Sequence, residues 1–298
     1  MNRLSLCCLV FLLAAAPVLA AEESGLSGIT AGPVIKCGMG HKFTEGPVWH
    51  KDGYFLFSDI PENHVKLWRR DNPVTVWRAD SGKSNGLTFD REGRLIACEH
   101  GNRRVSRTEK DGQITVIADS YKGKKLNSPN DCTVRSDGTI YFTDPSYGLE
   151  GRAQEQPGHG VYRVKPGEAP VLLAEDFNQP NGIALSPDEK TLYVCDSEGG
   201  QVRKFKINAD DSLGGGDVIY KVGTPDGMKV DVQGRLFIAS EEGISVLDEN
   251  GMRLGIIEVP DQPANCAFGD EDNQTLFITA RTSLYLVRMT TPGIKVWK

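Results

Sequence analysis

The chain has no excess of positive charge. Thirty-four Lys and Arg stand against 40 Asp and Glu in 298 residues, a net charge of −6. Binding to nucleic acid through its phosphates is therefore disfavoured. Histidine is scarce, at five residues, and no Cys or His spacing matches a zinc motif. Only one long apolar run is present, and it is too short to span a membrane. Glycine shows no every-third-residue period, which rules out collagen. At 39% apolar residues with four Trp, the chain is not of disordered composition. What it does have is glycine: 33 of 298 residues, about 11% against an average near 7%. A repeated turn is the simplest cause.

The apolar run is Leu4 to Ala16, preceded by Arg3 and followed by Val18-Leu19-Ala20. Positive, apolar and small residues in that order read as a secretory signal peptide over residues 1–20, cleaved after Ala20. A membrane anchor is the alternative, and the short run with no second apolar segment argues against it. The expectation is a secreted or periplasmic protein that is free of the membrane after cleavage. Cys7 and Cys8 leave with the leader. Cys37, Cys98, Cys132, Cys195 and Cys266 remain, an odd number that leaves at least one unpaired or paired between chains. Cys98 and Cys195 end apolar runs, where a small buried thiol packs well.

Length alone suggests two domains, but an internal repeat overrides it. One phrase recurs six times: EGPVWHKDGYFLFSD, NGLTFDREGRLIACE, NDCTVRSDGTIYFTD, NGIALSPDEKTLYVCD, DGMKVDVQGRLFIAS and NCAFGDEDNQTLFITA. Each is an alternating run, a turn and a second β-rich run, the pattern of an antiparallel hairpin. The phrases open at Glu45, Asn85, Asn130, Asn181, Asp226 and Asn265. Eight residues later come Gly53, Gly93, Gly138, Glu189, Gly234 and Asn273. Third runs follow (HVKLW, RVSRT, GVYRV, QVRKFKI, ISVLD, SLYLV), and fourth runs such as ITVIAD and VLLAE. Four strands per forty-odd residues, six times over, predict an all-β, six-bladed β-propeller forming one domain over 21–298. A two-sheet sandwich would need this constant offset to be coincidence. A strand near Pro33 to Cys37, or Ile294 to Trp297, should close the ring.

In a propeller the first strand of each blade lines a central channel, so the six opening residues meet at one mouth. All six carry a side-chain oxygen. Hard divalent cations take six to eight oxygens, and two carboxylates would neutralise one. Asn and Asp also start strands because they suit turns, but glutamate does not. The absence of His and Cys from the ring argues against zinc. The second strands return to the same face, bringing Asp59, Glu99, His100, Asp144, Asp196, Glu241 and Arg281 towards it, with Arg103 and Arg104 nearby. The longest insertion, residues 144–160, is a candidate lid.

The phrases TEGPVW, NSPNDCTVRSDGTIYFTDPSYG, QPNGIALSPDEKTLYV and DGMKVDVQGRLFIA resemble the gluconolactonase family, which includes regucalcin and the luciferin-regenerating enzymes. The resemblance runs from about Phe43 to the C-terminus. It implies a six-bladed propeller that binds one divalent cation and hydrolyses lactones. Calcium is the expected ion, with zinc, magnesium or manganese as alternatives. It implies metal ligands at Glu45, Asn181 and Asp226, with Asn130, near metal and substrate, as a fourth candidate ligand. Asn85 and Asn265 are not carried by the family pattern. Some sugar-selective members have an arginine two residues before the asparagine matched by Asn130; this chain has Ser128 there.

The chemistry expected is metal-assisted opening of a lactone by water, with Asp226 as general base and hydroxide generated at the metal as its competitor. Asn130, Arg103 and His100 are the candidate substrate-binding residues, and no serine nucleophile is indicated. Two rivals stand beside it. One is a non-catalytic, calcium-stabilised propeller that binds a ligand or protein at the same mouth. The other is an esterase or phosphotriesterase using the same site. A binding module would more often expose aromatic anchors, and Tyr147 is the clear one on the predicted face. The expected partner is a small-molecule lactone, with the protein a monomer or small homo-oligomer.

Overall fold

The computed structural model describes residues 26–296; residues 1–20, expected to be a signal peptide, lie outside them. Six four-stranded antiparallel sheets are arranged around a central channel. The inner strands are Thr44–His50, Ser84–Phe89, Cys132–Val134, Pro180–Leu185, Met228–Val230 and Asn265–Gly269. Each is followed by a hairpin partner and two further strands, as the repeat requires. No helix among the described residues is long and apolar enough to cross a membrane.

The turn at the constant offset explains the glycine excess. The residue eight after each opening has positive φ in all six blades: Gly53, Gly93, Gly138, Gly234, and also Glu189 and Asn273, both at 58°. In each, its N–H donates to the carbonyl three residues back, at 2.9–3.0 Å. Glycine adopts this conformation without cost and asparagine tolerates it. Glu189 has neither advantage and is held by its side chain, which accepts from Arg91 and from the Ser136 N–H at 2.8 Å.

Alternating side chains of each sheet pack against both neighbouring sheets. The buried apolar residues fall into six clusters, one per blade interface. Fully buried members such as Leu56 and Phe237 each contribute about 2–3 kcal/mol of burial. The sixth blade takes its outer strand from the N-terminal end: Ile35–Met39 pairs with Ser283–Arg288. First and last segments of the ring thus share one sheet, and the Phe55, Trp68 and Phe277 cluster seals the seam beside it. Residues 294–296 form no strand; they cross the channel mouth opposite the opening residues, Ile294 against the fourth and fifth blades and Val296 against the first and second. Cys98, Cys132, Cys195 and Cys266 are buried free thiols, and Cys37 is half-buried and free.

Candidate metal-binding active site

The six opening residues meet at one mouth, as the repeat predicts. Five are buried, and Asp226 is partly exposed. Glycine follows four of them because neighbouring inner strands approach too closely for a side chain. A Cβ on Gly46 would lie 2.0 Å from the Asn85 carbonyl oxygen, and one on Gly182 2.3 Å from that of Asp226. Inter-strand hydrogen bonds seal the approach: Gly86 N–H to Asn130 O at 2.7 Å, and Gly182 N–H to Asp226 O at 3.1 Å.

In the third blade the residue after the opening is Asp131 rather than glycine, and it is buried. Its signal in the sequence is a carboxylate at a position held by glycine in four blades and by Cys266 in the sixth. Asp131 adds a third carboxylate to Glu45 and Asp226. Burial pushes Glu45 up to about 7, with repulsion from Asp131 adding to it. Asp226 is held well above the ordinary carboxylate range, first by burial and then by Glu45 and Asp131. Burial also raises Asp131, while the Lys229 ammonium, 3.9 Å from its Oδ2, pulls it back.

The four asparagines are not equivalent. Asn265 Nδ2 donates to Glu45 Oε2 at 3.1 Å and to Asp131 Oδ2 at 3.4 Å, and its Oδ1 accepts from Cys266 N–H. Its oxygen is therefore already used. The Asn181 amide lies near the Asp226 carboxylate and pulls its proton affinity partly back down. Asn85 Nδ2 faces His100 Nε2 at 3.3 Å, leaving its buried Oδ1 without a partner. Asn130 is buried with its backbone carbonyl and N–H both engaged.

The remaining candidates are placed as follows. His100 is buried beneath Gly148, and burial pushes it down to about 4, so it is neutral at physiological pH. Arg103 Nε donates to Leu126 O at 2.6 Å and Nη1 pairs with Glu155 at 3.2 Å, which ties its guanidinium to the inserted loop. Arg104 is paired with Glu99. Arg281 lies over the Phe43 ring, and its charge acts on Asp226.

Three of the strand-end acids do not face the channel. Asp59, Asp144 and Asp196 accept the backbone N–H groups two and three residues before Glu45, Asn130 and Asn181, respectively. They brace the loops that deliver the ring residues. The 144–160 insertion is seated across the second and third blades. Ser128 Oγ donates to Pro145 O and accepts from Gly148 N–H, so this residue anchors the insertion. Arg152 donates to the carbonyls of His100 and Gly101. Tyr147, carried on the insertion, is 44% exposed, and both Ser197 and Asp226 act on its hydroxyl. The one G-x-S-x-G spacing, Gly82 to Gly86, is no nucleophile elbow. Its Ser84 opens an inner strand, fully buried, with Oγ 2.9 Å from Ser58 Oγ.

Among the described residues no three His, Cys, Asp or Glu side chains converge tightly enough to hold a metal alone. Amide oxygens must complete any set. The donors nonetheless suit a hard cation: three like-charged carboxylates share a buried mouth with one ammonium, and an orphaned amide oxygen lies on Asn85.

A family model described as SMP-30/Gluconolactonase/LRE-like region matches residues 43–282. The chain belongs to that family. It is 36% identical to a gluconolactonase of Zymomonas mobilis over 285 residues, covering 85% of this chain and 80% of that protein. It is 26% identical to regucalcin of Xenopus laevis, covering 80% and 83%. A solved gluconolactonase from Xanthomonas campestris superposes with a TM-score of 0.84 at 35% identity, covering 89% of this chain and 92% of that one.

Proposed function

We propose that this protein is a lactonase that opens a sugar-type lactone, as its gluconolactonase relatives are named for doing, and that it works with one divalent cation. The observation that carries the reading is the convergence of Glu45, Asn130, Asn181 and Asp226 at one mouth, with Asp131 beneath them. Glu45, Asn181 and Asp226 would hold the cation, with Asn130 beside it. A bound cation would supply Lewis-acid polarisation of the lactone carbonyl. Calcium suits the all-oxygen donor set best.

The chain's own groups do the rest. Asp226 accepts the proton of the attacking water and returns it to the departing ring oxygen, so water is consumed and a hydroxy acid is released. A base needs appreciable proton affinity; burial beside Glu45 and Asp131 raises that of Asp226, and a bound cation would lower it again. Asn130 orients the substrate through its amide. Tyr147 sits at the same mouth, its hydroxyl within reach of the Asp226 charge. Arg281 is a cation near Asp226 that can reach the substrate's oxygens, and Arg103, tied to Leu126 and Glu155, keeps only Nη2 free.

The leader sequence supports export to the periplasm or medium, which N-terminal sequencing of the exported protein checks. The activity test is direct. Protein stripped with chelator is followed for acid release from glucono-1,5-lactone with calcium, magnesium, manganese or zinc restored. A metal-dependent rate above spontaneous opening is expected. Folded protein with no such rate refutes the reading.

A further inference from the structure

The opposite mouth of the channel encloses a cavity of about 400 Å³. Its wall is set by the repeat. The third residue after each opening is Val48, Thr88, Thr133, Ala184, Lys229 and Phe268, and all six line it. Lys229 is the one charged member of that layer. Residues 294–296 complete the wall, with Ile294 and Val296 packed on the blade cores. The size is that of a small-molecule site, and the lining is mostly apolar with one convergent charge.

Lys229 has donors to spare there, its side chain being 26% exposed. Its ammonium donates to Met228 O at 2.9 Å and lies 3.9 Å from Asp131 Oδ2, beyond hydrogen-bond length. Asp131 does not depend on it, since Cys132 N–H and Asn265 Nδ2 already donate to that carboxylate. An ammonium has three N–H donors, so two remain for a ligand. At the rim, Glu189 is cancelled by Arg91, and Asp270 is engaged by Arg70 and Arg288. Lys295 is exposed at the same edge.

We propose that this cavity binds a small carboxylic acid with an apolar body, its carboxylate on Lys229 and its hydrocarbon against Val48, Ala184 and Phe268. The cavity lies at the other end of the channel from the lactone mouth, with Lys229 between it and Asp131, and its occupancy is read by binding rather than by the activity assigned to that mouth. Octanoate is the probe, titrated calorimetrically into the whole protein. Saturable one-to-one binding is expected. Lys229→Met should weaken it at least tenfold, Lys229→Arg should keep it within a few-fold, and octylamine, with the opposite head charge, should not bind. Ala184→Trp, which fills the cavity, should abolish binding in protein whose circular dichroism is unchanged. If Lys229→Met fails to fold, Lys229→Arg, Ala184→Trp and octylamine still decide. No saturable octanoate binding, octylamine binding as tightly as octanoate, or full affinity in Lys229→Met or Ala184→Trp would each overturn the proposal.

Discussion

The two mouths of the channel are built from opposite ends of the same six inner strands, yet they are chemically unlike. The starting end carries an oxygen-bearing side chain in every blade, and three carboxylates crowd together there. The far end is lined by Val48, Ala184, Phe268 and the C-terminal Ile294 and Val296, with Glu189 and Asp270 paired at the rim. Only Lys229 and Asp131 stand between the two regimes. Unpaired like charges in a buried place are costly, so a protein keeps them where a ligand compensates. That cost is why the proposed chemistry is assigned to the polar mouth, even though a well-formed cavity lies at the other end.

The largest expected effect tests that contrast at the polar mouth. Asp226→Ala and Glu45→Gln should each lower lactone hydrolysis on the order of a thousandfold, while circular dichroism stays unchanged. Retained activity in both would remove the site assignment. Next comes the close strand approach that forms the ring. Gly227→Ala puts a Cβ 2.0 Å from Asn265 Cγ and should destabilise by about 3 kcal/mol, read as a fall in denaturation midpoint. The acid braces follow. Asp196→Ala leaves the Asn178 and Gln179 N–H groups without their acceptor and should cost about 2 kcal/mol.

Acidification gives a smaller effect with a definite sign. The unfolded chain protonates His100 near 6.5, whereas burial holds it down to about 4 in the fold. Its stabilising contribution is complete above pH 6.5 and is lost as pH falls towards 4. Asp144 runs the other way: burial raises it from 3.8 to about 7, so its destabilising charge develops as pH rises through that window. His100→Gln should flatten the loss of stability on acidification, and Asp144→Asn should steepen it. Last, Glu271→Gln at the exposed rim of the apolar mouth should change stability by less than about 0.5 kcal/mol and leave lactone hydrolysis unaltered. A large loss of activity there would blur the distinction between the two ends.

Much of the ring was legible beforehand because strand register is periodic. A residue at a fixed offset in six repeats must occupy six equivalent places, so the openings and the positive-φ turns could be counted off the chain. The same arithmetic reached the strand-end acids but not their direction. Asp59, Asp144 and Asp196 turn back to backbone N–H groups, a choice made by hydrogen-bond reach in space. Arg103 reads as a substrate cation in a list of loop residues, and it proves to be tied to Leu126 and Glu155. Ser128 reads as a missing arginine, and its hydroxyl pins the insertion.

Alone, then, the sequence determined the blade count, the turn positions and the identity of the six residues at the polar mouth, because local alternation and repeat spacing determine them. Only the tertiary structure decided that Asp131 joins those residues, that Asn265 is committed while Asn85 Oδ1 is not, and that an apolar cavity ends in Lys229. These are contacts between blades far apart in sequence, and burial and charge act through distance in space rather than along the chain.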